Sequence, residues 1–196
     1  MVREAIRDDE EGEAIGCPVL VTERLVLRPP HEDDIPELVA LAGNRRVAEM
    51  LARMPHPYGE AEARAWLRAA AARTAGAGYA VTLAATGAYV GGASLNPAPE
   101  GLELGYWIGE PHWGRGYATE AAHALVDLAF RATGIERLHV SCRVLNAASR
   151  RVIHKCGFQY VGQGMIDSRV AGRVAVERYA LDRGTWVALR SWAPAK

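Results

Sequence analysis

Residues 102–131, LELGYWIGEPHWGRGYATEAAHALVDLAFR, decide the fold of this 196-residue chain. In the first part, apolar residues alternate with others, which predicts a β-strand with Glu103 on the face away from the apolar side chains. After a short break, an apolar stripe at three- and four-residue spacing begins at Ala118 and predicts an α-helix. The strand therefore leads into the helix through a turn that contains Gly114 and Gly116.

The glycine turn has the properties of an anion-binding site. Gly114 and Gly116 have no Cβ, so the backbone there can turn tightly and approach a ligand. The first N–H groups of the following helix have no intrahelical partner, and the helix dipole adds positive character at this end. A phosphate or pyrophosphate suits such a turn. A strand-to-helix connection that binds nothing explains the same glycines.

Two common phosphate-binding motifs fit this turn poorly. A P-loop needs Lys and a hydroxyl residue after its last glycine, whereas Arg115 and Gly116 follow Gly114. A dinucleotide-binding fingerprint needs Gly or Ala where this chain has Thr119, and it opens the first unit of its sheet. A nucleotide-dependent oxidoreductase is therefore a minor alternative, which titration with NAD(P) would test.

Two motifs carry a resemblance to a known family. Residues 113–118, WGRGYA, resemble the pyrophosphate loop Q/R-x-x-G-x-G/A of GNAT superfamily N-acetyltransferases, and the longer WGRGYATEA resembles the RimJ/RimL-like branch, where Trp is usual in the first place. The pattern N-x-x-S-x-x-x-[IL]-x-K-x-G-F is satisfied from Asn146 to Phe158, with His154 in place of the usual Glu. The resemblance covers about residues 18–190, and T-E-R-L-x-L-R-P near its start is also typical of this branch.

The order of the predicted elements matches the GNAT fold. The resemblance implies a mixed α/β fold with a central, mostly antiparallel sheet that is splayed at its middle strands and has helices on both faces. Besides the central strand and helix, we predict strands at 17–28, 79–84, 89–95, 138–142, 158–165 and 173–181, and helices at 35–42, 45–51, 60–73 and 146–155.

The segments between these elements have simpler interpretations. The acids at 31–34 are interpreted as helix caps, and residues 54–59, MPHPYG, as a loop. The domain boundaries follow from the resemblance. We expect a flexible segment at 1–16, one acetyltransferase domain at 17–190 and a tail at 191–196.

Composition disfavours several classes of protein. With 49% apolar residues and 23 basic against 23 acidic side chains, the chain has no net charge to attract nucleic acid or an anionic membrane. It contains no apolar run of about 18 residues, and its N-terminus is charged. Cys17, Cys142 and Cys156 are too scattered for a disulfide framework or a zinc site. We therefore expect a cytoplasmic protein without a metal. The sequence leaves two oligomeric states open, a monomer and a homodimer.

The resemblance implies that acetyl-CoA is the co-substrate and that no metal is needed. It places the pantetheine arm and the thioester along free main-chain groups of the splayed strand, and the phosphates at the glycine turn. Asn146 is a candidate to bind the pantetheine arm, but it can also be interpreted as a helix N-cap. Arg115, Arg150 and Arg151 are candidates to bind the phosphates, but they can also be interpreted as solvated surface residues. The implied coenzyme-binding residues are Tyr106, Trp107, Ile108, Trp113, Gly114, Arg115, Gly116, Tyr117, Ala118, Thr119, Asn146, Ser149 and Arg151.

The catalytic candidates are a carboxylate and a hydroxyl. Glu103 is the candidate base, because burial beside the splay would raise its pKa toward neutrality; the alternative is a carboxylate paired with Arg137 or Arg143. Many GNAT enzymes use a Tyr seven residues after the motif Asn as general acid, and this chain has Ile153 there. Ser149 is the candidate to orient the coenzyme sulfur or relay a proton, unless it only starts a helix.

The acceptor side carries weaker signals. In the GNAT fold acceptors enter between the early helices and the last strand pair, so residues 54–59 and 164–173 are expected at the rim. His56, Tyr58 and Trp107 are the candidates for acceptor binding, although a His in a proline loop is more often structural or solvated. The predicted function is transfer of an acetyl group from acetyl-CoA to a primary amine, on a protein N-terminus or a small molecule, by direct attack in a ternary complex. An acyl-CoA-binding module with little or no transferase activity is the alternative, motivated by the missing tyrosine.

Overall fold

The computed structural model describes residues 15–72 and 76–191. The strands are β1 (Leu20–Val21), β2 (Leu25–Arg28), β3 (Ala77–Leu83), β4 (Tyr89–Ala98), β5 (Gly101–Ile108), β6 (Arg137–Arg143), β7 (Gln159–Ser168) and β8 (Gly172–Asp182). The α-helices are α1 (Ile35–Ala42), α2 (Arg45–Ala48), α3 (Glu60–Ala71), α4 (Tyr117–Ala132), α5 (Ala147–Lys155) and α6 (Arg183–Ser191). Short 3₁₀ turns lie at Glu32–Asp34 and Glu110–His112.

The eight strands form one sheet, in the order β1-β2-β3-β4-β5-β6-β8-β7. Every neighbouring pair is antiparallel except β5 and β6, which are parallel. The register of β5 and β6 contains only the pairs Leu102–Leu138 and Glu103–His139, so the two strands separate beyond Glu103. The predicted mixed α/β fold with a splayed, mostly antiparallel sheet is confirmed.

Different helices cover the two faces of the sheet. On one face the apolar side chains of β5, among them Leu104, pack with Leu125 and Phe130 of α4 in the larger core cluster. On the other face Leu38 of α1 and Leu67 of α3 form a second cluster. Each fully buried side chain of this size contributes roughly 1.5–3 kcal/mol to folding. Because Glu103 alternates with the apolar set, its side chain lies on the α1 and α3 face.

The N-terminal edge of the sheet differs from the sequence prediction. We predicted one strand between residues 17 and 28, and the structure has two short strands, β1 and β2, paired with each other. Between them the Thr22 backbone N–H donates to the Leu25 carbonyl at 2.9 Å, and the Thr22 hydroxyl oxygen accepts the Leu25 N–H at 3.1 Å, which closes a turn. A period-2 pattern does not reveal such a turn, because the turn contains neither Gly nor Pro.

Other predicted boundaries differ from the observed ones by a few residues, and the prediction lacked one helix, α6. β4 continues to Ala98, beyond the predicted end at residue 95, and α2 ends at Ala48 rather than at residue 51. The predicted end of α3 at residue 73 lies outside the described residues. At the start of the chain, residues 1–14 also lie outside, whereas Ile15 is buried in the larger core cluster.

Tertiary contacts stabilise α6, the helix that the sequence interpretation lacked. The Arg183 guanidinium donates to the carbonyls of Phe130, Thr133 and Ile135, which lie at the end of α4 and just beyond it. Trp186 stacks on the Phe130 ring with the centroids 5.2 Å apart. Gly184 and the β-branched residues of this segment have low helix propensity, so packing rather than local preference stabilises the helix.

The acids before α1 cap the short 3₁₀ turn at Glu32–Asp34 rather than α1 itself, because Asp34 at the N-cap of α1 makes no side-chain bond to that helix. Asp34 accepts a hydrogen bond from the backbone of His31 at 2.9 Å and completes a capping box. Asp34 is 4% exposed, and its carboxylate accepts hydrogen bonds from both terminal nitrogens of Arg28, at 2.6 and 2.9 Å. Burial opposes ionisation, but the bonds from Arg28 and His31 outweigh it and hold the pKa of Asp34 below its usual value. This pair attaches the start of α1 to β2.

Candidate active site

The glycine turn is built so that the start of α4 faces outward. Gly114 and Gly116 have φ angles of +74° and +82°, a left-handed backbone conformation that residues other than glycine rarely adopt. Gly116 is the N-cap of α4 and provides no side-chain cap, so the first N–H groups of the helix keep their capacity to bind an anion. A Cβ on Gly114 would have no atom within 4 Å. The turn therefore has room for a ligand against its backbone.

A clamp from the β1–β2 turn holds this loop. Glu120 in the first turn of α4 accepts hydrogen bonds from the Thr22 hydroxyl at 2.6 Å and from the Arg24 backbone and guanidinium at 2.8 Å. The same guanidinium donates to the Arg115 carbonyl at 2.8 Å. Burial opposes ionisation of Glu120, but these hydrogen bonds keep its pKa below the usual value. The loop is thus positioned by residues about 90 positions earlier in the chain.

Trp113, the first residue of the loop motif, connects the loop to the central strand. Its indole Nε1–H donates to the Ile108 carbonyl at 2.6 Å, and the Arg46 guanidinium lies 5.5 Å from the centre of the ring. Among the predicted main-chain contributors on β5, Ile108 therefore already has a partner for its carbonyl. Tyr106 and Trp107 lie beyond the last β5–β6 pair, on the part of the strand that has separated from β6.

A tyrosine hydroxyl lies beside Ser149 at the splay. The Tyr106 hydroxyl is 2.9 Å from the Ser149 hydroxyl and donates to the Ser149 carbonyl at 3.2 Å. Burial raises the pKa of Tyr106 above its usual value, so the phenol stays protonated at neutral pH. Asn146 is the N-cap of α5, because its side-chain oxygen accepts the Ser149 N–H at 3.0 Å. Ile153, which replaces the usual tyrosine, is 1% exposed and belongs to the core.

The sequence interpretation missed the side chain of Tyr106, since it assigned only main-chain contacts to this residue. The signal was present, because Tyr106 occupies the apolar face of β5 and a buried phenol normally has a hydrogen-bond partner. The identity of that partner depends on how α5 packs, which strand periodicity does not reveal.

Glu103 is half-buried on the other face of β5. The Ser141 hydroxyl donates to one of its carboxylate oxygens at 2.7 Å. The alternative reading, an ion pair with an arginine, does not hold: Arg137 pairs with Asp182 at 2.6 Å, and the Arg143 guanidinium donates to the Glu49 carbonyl. Within the part of the chain that the structure describes, the Glu103 carboxylate is hydrogen-bonded to Ser141 and forms no salt bridge.

A cavity of about 540 Å³ opens in front of Glu103. It lies between the 51–55 segment, α3 and the Glu103 side of β4 and β5. Of the predicted acceptor residues, Tyr58 and Trp107 line it, whereas His56 is exposed and is not part of its lining. Of the predicted rim at 164–173, Arg169 lines the cavity. Its other lining residues are Leu38, Leu51, Ala52, Arg53, Met54, Pro55, Glu62, Ala65, Trp66, Ala69, Gly92, Ala93, Ser94, Asn96, Leu104, Gly105, Tyr106 and Ser141.

The arginines proposed for the coenzyme phosphates separate into two kinds. Arg150 is paired with Glu177 at 2.7 Å and also donates to the Val144 carbonyl. Arg115 and Arg151 are exposed at the surface. Arg150 therefore already has partners, and phosphate binding by Arg115 and Arg151 stays a prediction. Within residues 15–72 and 76–191, no three His, Cys, Asp or Glu side chains are grouped to hold a metal, and no helix is long and apolar enough to cross a membrane.

Comparisons with known proteins agree with this geometry. A family model described as an acetyltransferase (GNAT) domain matches residues 24–159. The FsC-acetyl coenzyme A-N(2)-transacetylase of Aspergillus fumigatus is 29% identical over 201 residues, which cover 91% of this chain and 85% of the relative. RimL, a ribosomal L7/L12 alpha-N-protein acetyltransferase solved in complex with coenzyme A, has a similar fold, with a TM-score of 0.71, 22% identity, and coverage of 84% of this chain and 98% of that one. A putative ribosomal-protein-serine acetyltransferase from Vibrio cholerae is similar to the same degree, with a TM-score of 0.71 at 24% identity over 84% of this chain and 97% of that one.

Proposed function

The chain belongs to the GNAT acetyltransferase family, and on that premise we propose that it transfers the acetyl group of acetyl-CoA to a primary amine by direct attack in a ternary complex. The observation that carries the proposal is the separation of β5 from β6 beyond Glu103. An open helix N-terminus lies on one side of this opening, and an acid-containing cavity lies on the other. Two substrates can therefore approach from opposite faces and meet between the strands.

On the α4 side we assign the coenzyme. The loop from Trp113 to Thr119 binds the pyrophosphate through outward N–H groups, and the guanidinium groups of Arg115 and Arg151 bind phosphate oxygens. The pantetheine arm follows the freed main chain of Tyr106 and Trp107. The left-handed glycines and the uncapped start of α4 support this assignment, because they provide space and donors where an anion would lie.

On the cavity side Glu103 acts as the base. A primary amine is mostly protonated at neutral pH and must lose a proton before it can attack the thioester carbonyl. Glu103 accepts that proton directly or through a water, and the hydrogen bond from Ser141 holds the carboxylate in place. General base assistance of this kind contributes typically 10²–10⁴-fold to the rate.

The Tyr106–Ser149 pair supplies the proton for the departing thiolate. As the amine nitrogen forms its bond to the carbonyl carbon, the bond from that carbon to sulfur breaks and leaves a thiolate. Ser149 donates its hydroxyl proton to the sulfur, and the Tyr106 phenol redirects its own proton from the Ser149 carbonyl to the Ser149 hydroxyl oxygen, 2.9 Å away. A proton from solvent then restores the phenol. The pair therefore takes the place of the tyrosine that Ile153 has replaced. Asn146 positions Ser149 through the hydrogen bond to its backbone N–H.

The setting of the enzyme is also a proposal. We infer that residues 17–190 act as one domain, since the sheet uses strands from Leu20 to Asp182. We infer a cytoplasmic location, and the absence of a disulfide among Cys17, Cys142 and Cys156 is consistent with a reducing compartment. A monomer or a homodimer is compatible with these inferences.

Glu103→Gln tests the proposed mechanism. This nearly isosteric change should lower kcat by about 10²-fold, most strongly at low pH where little free amine exists, and should leave the affinity for acetyl-CoA unchanged. Glu100→Gln is the matched control, because Glu100 is an exposed carboxylate on the turn before β5, and it should keep wild-type turnover. Rates are measured as thiol release with a mixture of amines, and affinity by calorimetric titration.

Two results would contradict the proposal. A pH–rate profile of Glu103→Gln that overlays the wild-type profile would mean that Glu103 is not the base. Binding of acetyl-CoA without thiol release from any amine would favour the alternative, a module that binds acyl-CoA and does not transfer the acyl group.

A further inference from the structure

The wall of the cavity is unusually aromatic for a site that must receive a charged amine. Trp66 of α3 and Trp107 of β5 both line it, together with Met54 and Pro55. A Cβ on Gly92 would lie 2.7 Å from the Trp107 Nε1, so this indole lies directly across the backbone of β4. Such walls favour a ligand with a flat, apolar body.

The charged groups of the cavity are arranged by depth. Glu103 lies at the sheet, beside the splay, and Glu62 lies on the helix wall. Arg53 and Arg169 are exposed, and among the described residues neither forms an ion pair. A carboxylate on the carbon next to the reacting amine would lie against Glu103 and be repelled, because like charges at close range cost affinity. Arg53 and Arg169, which are exposed, are available to an acidic group elsewhere on the acceptor.

The polar groups near Glu103 are already engaged with one another. Ser141 donates to Glu103 at 2.7 Å, and the Asn96 side-chain amide donates to the Ser94 hydroxyl at 2.9 Å. A peptide acceptor would bring amide N–H and carbonyl groups to this part of the wall. Those groups would lose water without gaining equivalent partners, which is unfavourable.

One side of the cavity is also closed by backbone contacts. The Arg169 backbone N–H donates to the Ala52 carbonyl at 3.0 Å, and the buried Ser168 hydroxyl donates to the Leu51 carbonyl at 3.2 Å. The Arg143 guanidinium donates to the Glu49 carbonyl nearby. These bonds join the tip of the β7–β8 hairpin to the segment after α2, so a groove that could accept a passing polypeptide is bridged.

We propose that the acceptor is a small primary amine with an aromatic body and no carboxylate beside the amine. This inference rests on the proposed function, since it names the substrate class of the same site. The amine faces Glu103, the ring lies between Trp66 and Trp107, and the bond rearrangement is the amide formation and thiolate release already described.

A matched set of acceptors tests the inference on the full chain. Thiol release from acetyl-CoA is measured with 2-phenylethylamine, with L-phenylalanine, which adds only the carboxylate, with propylamine, which lacks the ring, and with a phenylalanine-starting tripeptide. The value of kcat/KM for 2-phenylethylamine should exceed that for each of the others at least about tenfold. Equal or higher values for L-phenylalanine or propylamine would overturn the inference. Release with the tripeptide alone would overturn it and leave the proposed function intact, and no release with any acceptor would overturn both.

Variants of Trp66 test the aromatic wall separately. Trp66→Ala should lower the preference for 2-phenylethylamine over propylamine at least about fivefold, because the ring loses one face of its contact, with acetyl-CoA affinity unchanged. Trp66→Leu keeps an apolar wall and guards against loss of folding, and it should show the same direction. Trp186→Ala is the matched control, since its indole stacks on Phe130 away from the cavity, and it should keep the wild-type preference. An unchanged preference in folded Trp66→Leu would contradict the proposed position of the ring.

Discussion

Gly114→Ala separates the conformational role of this glycine from its role in binding. Gly114 has a φ of +74°, and a Cβ there would have no atom within 4 Å, so the substitution meets no steric clash inside the protein. Its cost to folding is therefore the left-handed backbone alone, about 1–2 kcal/mol for an L-residue. For a chain of this size, each 1 kcal/mol lowers Tm by about 2–4 °C.

Gly87→Ala provides a matched control for that cost. Gly87 has a φ of +75° and likewise nothing within 4 Å of a Cβ, and it lies in the β3–β4 turn away from the site. The two variants should therefore lose similar amounts of stability. Gly116 is less suitable, because a Cβ there would also lie 3.3 Å from the Arg24 guanidinium and would disturb the clamp.

Only Gly114→Ala should weaken coenzyme binding. In the proposed function the open space in front of Gly114 is occupied by phosphate, so the methyl group would displace the anion from the loop N–H groups. Hydrogen bonds to charged groups are worth about 1.5–3 kcal/mol each, so loss of one such bond weakens the affinity by roughly tenfold to a hundredfold.

The assay combines thermal unfolding with calorimetric titration of acetyl-CoA on the same samples. We expect equal shifts in Tm for the two variants without ligand, and a loss of affinity in Gly114→Ala only. If Gly114→Ala is folded and binds acetyl-CoA as tightly as Gly87→Ala does, the glycine loop does not hold the phosphates, and the turn is only a connection between strand and helix.

Three further predictions concern the other residues described. Tyr106→Phe should lower turnover at least about tenfold with acetyl-CoA affinity unchanged, and a wild-type rate would remove the phenol from the proton relay to Ser149. Asp34→Asn should destabilise the fold at pH 7 by about 3 kcal/mol, because it leaves Arg28 with a broken pair. Since the pKa of Asp34 is lowered in the folded state, this difference should be present above the unfolded pKa of about 4 and vanish as the pH falls through the folded pKa, which chemical denaturation across pH would show. Arg24→Met removes the donor to the Arg115 carbonyl and should weaken acetyl-CoA binding several-fold without loss of secondary structure; unchanged affinity would show that the loop holds its shape without the clamp.

Much of the architecture followed from local patterns. The strand-turn-helix at residues 102–131 was predicted because period-2 alternation and a three- to four-residue stripe are strong signals when a glycine turn separates them. The same rules located the hairpin of β3 and β4 and the closing pair β7 and β8. They failed at α6, where Gly184, Thr185 and Val187 weaken the local preference for a helix, and at the β1–β2 turn, which has no glycine or proline.

For the candidate site as well, some residues were predicted from the sequence and others were not. The sequence identified Glu103, Ser149 and the glycine loop as candidates, because each belongs to a motif or a face that can be read along the chain. It did not identify the hydroxyl of Tyr106 as the neighbour of Ser149, since these residues are separated by 43 positions and belong to β5 and α5. Their roles in binding and catalysis stay predictions that the variants above test.

By itself, the sequence determined the glycine loop at the start of α4, the direction in which Glu103 points and the resemblance of its motifs to one family, because these depend on residues close together in the chain. Three features became visible only once the elements were packed: β5 pairs with β6 at two positions and then separates, Arg24 holds the loop through Arg115, and an aromatic cavity faces Glu103. The β5–β6 pairs join residues 36 positions apart, and the bond from Arg24 to Arg115 joins residues 91 positions apart. Their geometry is set by how whole elements pack, and no periodicity within one element encodes it.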